Sequence, residues 1–164
     1  MAEDVAQLFV DARRRLAGVP REALGEVAEP GRIRAVLGAR PRIVRVGDAW
    51  RVGILLVDDG AVYETGEVLR AADPGRRGYA AESARQRAEL RAMALRGGFA
   101  EGETVHIGWR RLDLEAVAAG RADGPLAWVG DRVTIRWTST GGRMPLSSYL
   151  SERIDLLLNP PAGA

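Results

Sequence analysis

The side chains that could do chemistry in this 164-residue sequence are few in kind, because all 24 basic residues are arginine. Without lysine, the chain cannot form a Schiff base or use a P-loop lysine to bind phosphate. Without cysteine, it has no thiol nucleophile, disulfide or thiolate metal site. The single histidine, His106, cannot build a histidine-rich metal site, so the sequence predicts no bound metal and no cofactor. Carboxylates, hydroxyls and one imidazole remain, with arginines to bind anions.

His106 is the candidate catalytic residue, because an imidazole readily takes up and releases protons near neutral pH. Strand alternation places it on the face opposite Val105 and Ile107. If that face is a cleft, His106 would act as a general base with a carboxylate, which Glu64 or Glu67 could supply. The alternative is a histidine of the sheet that hydrogen-bonds to a neighbour and has no catalytic role.

The loop at residues 73–79 is the first candidate site for an anionic ligand. It contains Arg76, Arg77 and Tyr79 just before a predicted helix. Two guanidinium groups, a hydroxyl and the free N–H groups of a helix N-terminus would together bind a phosphate or a carboxylate. The alternative is a plain surface loop whose arginines are solvated or paired with nearby glutamates.

A second loop, residues 138–143, has hydroxyls, paired glycines and Arg143 before the last predicted helix. Such a loop can wrap an anion in a nest of backbone N–H groups, but polar glycine-containing turns are also common connectors. The sequence favours the first loop for an anion, because two adjacent guanidinium groups offer more charge than one.

The composition is that of a globular protein, with 46% hydrophobic and 28% charged residues. The length suits a single domain over residues 1–164, with residues 159–164 expected to form a flexible tail. The 22 acidic residues are mixed among the arginines and leave a formal net charge of +2. The sequence therefore argues against a nucleic-acid partner, which would favour one concentrated basic face.

A membrane location is not expected either. The longest strongly apolar run, residues 54–57, is far too short to cross a bilayer. The acidic start of the sequence lacks the positive region of a signal peptide. These features predict a cytoplasmic protein.

Hydrophobic periodicity and turn residues predict the order of the elements. Helices are predicted at residues 3–17, 20–28, 80–96, 112–119 and 145–158. Strands are predicted at residues 42–46, 50–57, 61–69, 103–109, 126–129 and 132–137. Residues 32–37 fit either a helical turn or a strand. Turns at Gly47–Asp48 and Gly130–Asp131 are expected to close two hairpins.

This order predicts an α+β fold. N-terminal, central and C-terminal helices are expected to pack on an antiparallel sheet of five or six strands. Consecutive hairpins, rather than alternating strand and helix units, argue against a doubly wound parallel fold.

Residues 77–89 and 96–109 resemble a family of small uncharacterised proteins from high-GC bacteria. The resemblance covers most of the chain and implies a related fold without an established activity. Some of these proteins carry a glutaminase label. The residues do not support that label, since serine-dependent glutaminases use a Ser-x-x-Lys motif and amidotransferase glutaminases use a cysteine.

The sequence favours a non-catalytic module that binds a small anionic ligand or a protein partner and forms a homodimer. The alternative is a small hydrolase or transferase that uses His106, a carboxylate and arginines on an anionic substrate. Convergence of these groups in one pocket would favour the enzyme.

Overall fold

The computed structural model of the chain describes residues 3–73, 75 and 81–163. Its helices are α1 (Val5–Leu16), α2 (Arg32–Val36), α3 (Glu82–Arg96), α4 (Leu114–Ala118) and α5 (Leu146–Leu158). Its strands are β1 (Glu22–Ala28), β2 (Arg42–Val52), β3 (Leu55–Val57), β4 (Val62–Glu64), β5 (Glu67–Arg70), β6 (Thr104–Ile107), β7 (Arg110–Arg111), β8 (Leu126–Val129), β9 (Arg132–Arg136) and β10 (Arg143–Pro145). None of these helices is long and apolar enough to cross a membrane.

The strands pair in two sheets. Seven follow the order β5-β6-β1-β2-β3-β4-β7, and three follow the order β10-β9-β8. Every pair between the described strands is antiparallel except β1 with β6, which is parallel. The mixed α and β composition and the mostly antiparallel pairing agree with the prediction. The expectation of one sheet with five or six strands is wrong, because the described strands form sheets of seven and three.

Residues 20–28 were expected to be helical, and this prediction is wrong, because Glu22–Ala28 form β1. Hydrogen bonding to β2 on one side and β6 on the other outweighs the weak local preference for a helix. Gly25 suits this central position, since an added Cβ would lie 2.6 Å from the Ile43 side chain and 2.8 Å from that of Val105.

The hairpin expected at Gly47–Asp48 is also wrong. Both residues pair with β1, which keeps β2 extended from Arg42 to Val52. The chain turns instead after β2, where Gly53 has a positive φ of 63° that glycine readily adopts. The second hairpin is confirmed: Val129 pairs with Arg132 around Gly130, whose φ is 61°. Residues 61–69, expected to be one strand, form β4 and β5.

The chain divides into two compact units. The first, called the α1/α5 unit, comprises the described parts of residues 1–21, 50–64 and 110–164. In this unit, α1 begins where the Asp4 carboxylate accepts a hydrogen bond from the backbone amide of Gln7 (3.1 Å). Its core includes the fully buried side chains of Phe9, Leu16 and Tyr149.

The second, called the α3 unit, comprises the described parts of residues 22–49 and 65–109. Apolar side chains of α3 and of the strands in this unit form one buried cluster, which includes Met93, Ile43 and Val105. Strand alternation turns His106 away from Val105, and therefore away from this cluster.

Candidate functional site

His106 lies in β6, between β5 and β1, and its side chain is completely buried. Its Nε2 contacts a carboxylate oxygen of Glu22, the first residue of β1, whose side chain is 34% exposed. The carboxylate beside the imidazole is therefore Glu22, rather than Glu64 or Glu67. The sequence did not indicate Glu22, because residues 20–28 were expected to form a helix. In the strand, Glu22 lies on the same face as Leu24, which pairs with His106.

The two ring nitrogens of the imidazole have different surroundings. Nε2 is occupied by Glu22, and Nδ1 is buried without a hydrogen-bond partner among the described residues. A general base must come within hydrogen-bond reach of the proton that it removes. No part of His106 is exposed, and its contact with Glu22 joins the paired strands β1 and β6. Catalysis by His106 stays a prediction.

Arg143 lies in β10, and its guanidinium Nη1 donates to the Thr134 hydroxyl (3.0 Å) and to the Pro125 carbonyl (3.3 Å). The loop before it is closed by its own contacts, since the Gly142 amide donates to the Thr138 hydroxyl (2.8 Å). These contacts give Arg143 a role in holding the β8–β9–β10 sheet. Ligand binding by Arg143 stays a prediction.

We expect Arg143→Ala to lower the free energy of unfolding by about 1 kcal/mol, because two hydrogen bonds to partly buried acceptors are lost. Urea titration would measure the change. Arg132→Ala is the matched control, since Arg132 is exposed at the end of the neighbouring strand and should change stability very little. Equal losses in the two variants would contradict the structural role of Arg143.

Arg76, Arg77 and Tyr79, the main residues predicted to bind an anion, lie outside the described residues. Before them, the Asp73 carboxylate accepts a hydrogen bond from the Gly75 amide (2.9 Å). After them, α3 begins at Glu82. Anion binding by these three residues therefore stays a prediction, and Arg143 is the one member of the predicted ligand set that the structure describes.

The α1/α5 unit contains an open groove of about 480 Å³. Apolar, polar and charged residues line it, and of the apolar ones Ala61, Val62 and Leu112 are buried. The complete set of lining residues is Gly60, Ala61, Val62, Arg111, Leu112, Asp113, Leu114 and Glu115. Among the described residues, no three histidine or carboxylate side chains are grouped so that they could hold a metal ion.

Tyr63 follows Val62 in β4 and is the tyrosine nearest in sequence to this groove. Burial raises the pKa of its phenol. The hydrogen bond that the phenol donates to Asp58 (2.8 Å) raises this pKa further, while Arg111 acts in the opposite direction. The phenol therefore stays protonated at neutral pH and cannot serve as a base there.

A different surface lies in the α3 unit, on the loop between β1 and β2. This segment, residues 29–41, is called the α2 loop. Ile33, Val36 and Leu37 are 79%, 87% and 80% exposed, and α2 buries no residue at all. Their spacing puts the three aliphatic side chains on one face of the helix. Arg32 and Arg34 border that face on either side.

The α2 helix is closed by its own backbone. Gly38, with a φ of 86°, follows the helix, and its amide donates to the Ala35 carbonyl (3.0 Å). The Ala39 amide donates to the Arg34 carbonyl (2.9 Å). This pair of bonds is a Schellman motif, which ends the helix without help from other elements.

The end of the α2 loop is held by α3. The Arg96 guanidinium donates two hydrogen bonds to the Pro41 carbonyl (3.1 and 2.9 Å) and one to Glu89 (2.6 Å). Gly97 then approaches the Ile43 backbone so closely that an added Cβ would overlap it. The exposed apolar face is thus carried on a loop whose base is fixed.

No protein-family model, curated protein or solved structure was found to match the chain.

Proposed function

We propose that this chain is a non-catalytic binding module that docks onto a protein partner through α2. The observation that carries the proposal is the exposure of Ile33, Val36 and Leu37 on a helix that buries none of its residues. Scattered single aliphatic residues are ordinary on protein surfaces. Three on one face of a short helix form a contiguous patch, and such patches mark interaction sites.

Docking would be favourable because the rest of the chain does not bury the apolar face of α2. Burying one aliphatic side chain contributes about 1.5–3 kcal/mol relative to leaving it in water. Helices much shorter than 12–15 residues are only marginally stable in water on their own. A partner groove would both cover the apolar side chains of α2 and stabilise the helix, as in other complexes in which a helix lies in a groove.

The charges of the α2 loop favour an acidic partner. Arg32 and Arg34 lie within α2, and Arg40 and Arg42 follow it, while Glu29 is the acidic residue of the segment. None of these four arginines forms an ion pair with a described residue. Complementary carboxylates on a partner would direct its approach and fix the orientation of the helix.

A protein partner suits this surface better than a small anionic ligand. Small ligands bind in concave sites, whereas the aliphatic side chains of α2 stand out from a loop. The alternative of a small hydrolase or transferase is supported by the contact between His106 and Glu22. The complete burial of His106 counts against it. A cytoplasmic location, which the sequence predicts, is part of the proposal.

Photo-crosslinking in the cells that make this chain tests the proposal. We expect Val36→benzoylphenylalanine to give a discrete crosslinked protein, because Val36 is the most exposed side chain of the apolar face. Val129→benzoylphenylalanine is the matched control, since Val129 is 59% exposed in the α1/α5 unit, and it should not give this product. Equal products from the two positions, or none from position 36, would rule out docking through α2.

A second comparison separates docking from folding. Adding Ile33→Asp and Leu37→Asp to the position-36 variant should remove the crosslinked product. The same two changes in the otherwise unaltered chain should leave the free energy of unfolding within about 0.5 kcal/mol, because both side chains are exposed. A large loss of stability would show that these residues serve the fold instead.

A further inference from the structure

We propose that Arg136 and Arg143 together form a binding site for a doubly charged oxyanion, such as a phosphate group. The site lies on the β8–β9–β10 sheet, on the face opposite the buried side chains of Val133 and Ile135. All of these residues belong to the α1/α5 unit, so the inference is independent of docking through α2. The sequence indicated Arg143 alone, with the loop before it, and did not indicate Arg136.

The register of β9 and β10 brings the two arginines together. Arg143 pairs directly with Arg136, and residues that are directly opposite carry their side chains on the same face of a sheet. The Arg136 backbone amide donates to the Pro125 carbonyl (2.9 Å), away from β10, whereas the Trp137 amide donates to the Gly142 carbonyl (3.1 Å). The arginine pair is therefore of the non-hydrogen-bonded type, in which opposite Cα atoms are only about 4.5 Å apart.

The positive charge of this pair is not neutralised by the described part of the chain. Both arginines are exposed, and neither forms an ion pair with a described residue. The Glu3 carboxylate does bind the backbone of β9, where it accepts a hydrogen bond from the Val133 amide (3.1 Å). That amide is three residues, or about 10 Å, from Arg136 along the strand. Like charges directly opposite destabilise a sheet, and an anion between them would remove this repulsion.

The guanidinium of Arg143 is already oriented. Its Nη1 is held by the Thr134 hydroxyl and the Pro125 carbonyl. Thr134 is itself 8% exposed, and its hydroxyl donates to the Ala127 carbonyl (2.8 Å). The Nε and Nη2 groups of Arg143, and the whole guanidinium of Arg136, donate to no described residue. A guanidinium that is fixed before binding loses less conformational freedom when it binds an oxyanion.

A phosphate group matches this pair better than a carboxylate does. A phosphate monoester carries a charge of about −1.5 to −2 at neutral pH and offers three acceptor oxygens. It can therefore neutralise both guanidinium groups and accept hydrogen bonds from each of them. A single carboxylate carries one charge and would leave the pair with a net positive charge.

Thermal unfolding in increasing inorganic phosphate, with chloride adjusted to keep the ionic strength constant, tests the site. The melting temperature of the unaltered chain should rise with phosphate, and acetate should raise it less, because a ligand of the folded state stabilises that state. Arg136→Gln should weaken the apparent phosphate affinity at least about tenfold, as expected when one charge-assisted contact is lost. Arg132→Gln is the matched control and should keep the full effect, since Arg132 is exposed on the same face of β9 but lies opposite Val129.

Urea unfolding in chloride separates binding from folding. There, Arg136→Gln should leave the midpoint unchanged or raise it, because the change removes a repulsion. A clear fall in this midpoint would show that Arg136 serves the fold and would overturn the inference. Arg143→Gln should also weaken phosphate binding, but it should lower the midpoint in chloride, because Arg143 also holds the sheet.

Four results with phosphate would overturn the inference. They are the absence of any phosphate effect on the unaltered chain, an equal effect of acetate, an equal loss in Arg132→Gln, and an undiminished effect in Arg136→Gln. Arg76→Ala with Arg77→Ala tests the other predicted anion site in the same assay. If this double change removed the phosphate effect while Arg136→Gln kept it, the anion would bind at the loop before α3 instead.

Discussion

Gly97→Ala should destabilise the protein by about 3 kcal/mol, near the upper end of what overpacking usually costs. The backbone of Gly97 has a φ of −80° in the helical region, so alanine itself is not strained there. The cost arises because the new Cβ would overlap the carbonyl group of Ile43, and backbone atoms cannot move aside by changing a rotamer. The free energy of unfolding from urea titration measures the effect.

Gly31→Ala is the matched control for this change. Gly31 also lies in the α3 unit and has a negative φ of −59°, and an added Cβ meets nothing within 4 Å. It should therefore change stability by well under 1 kcal/mol. If Gly97→Ala were equally mild, the close approach of the α3 end to β2 would be wrong, and so would the fixed base of the α2 loop.

His106→Ala should lower the free energy of unfolding by about 2–4 kcal/mol, the usual range for removing most of a large, fully buried side chain. The change leaves a cavity on the face of β6 that carries the imidazole, and it also removes the contact with Glu22. Thermal or urea unfolding of the purified chain checks this expectation. A loss of this size supports a histidine that serves the fold.

Val68→Ala provides the comparison for His106→Ala. Val68 pairs with His106 across β5 and β6, but it is 37% exposed, so its truncation should cost about 1 kcal/mol or less. If His106→Ala were no more harmful than Val68→Ala, the imidazole would not be an essential part of the core. That result would instead favour the alternative of a small hydrolase or transferase, because a histidine that the fold does not need is available for catalysis.

Local sequence patterns were sufficient for α1, α5 and the second hairpin. The apolar residues of α1 recur at helical spacing after the Asp4 cap, and all the information needed is contained within a few turns of chain. The β8–β9 turn is formed by Gly130 and Asp131, and Gly130 has the positive φ that glycine readily adopts. In contrast, β1 depends on pairing with β2 and β6, which are distant in sequence. Periodicity within residues 20–28 contains no information about those partners, so the helix predicted there was wrong.

The same distinction applies to the candidate sites. The contact of Glu22 with His106 arises from strand register, which a single sequence does not reveal. The helical spacing of Ile33, Val36 and Leu37 could be seen in the sequence, followed by a glycine suited to a helix end. The exposure of these side chains could not be seen in the sequence. The same spacing is expected of a face that packs on the protein's own core and of a face that is available to a partner.

Because α2 buries none of its side chains, changes at its exposed positions should have little effect on the core. The backbone requirement is concentrated at Gly38, whose positive φ closes the helix. The exposed positions around it can therefore diverge quickly between related chains without loss of stability. The partner that the α2 loop recognises could therefore be changed by design, or could change in evolution, while the rest of the chain remained unchanged.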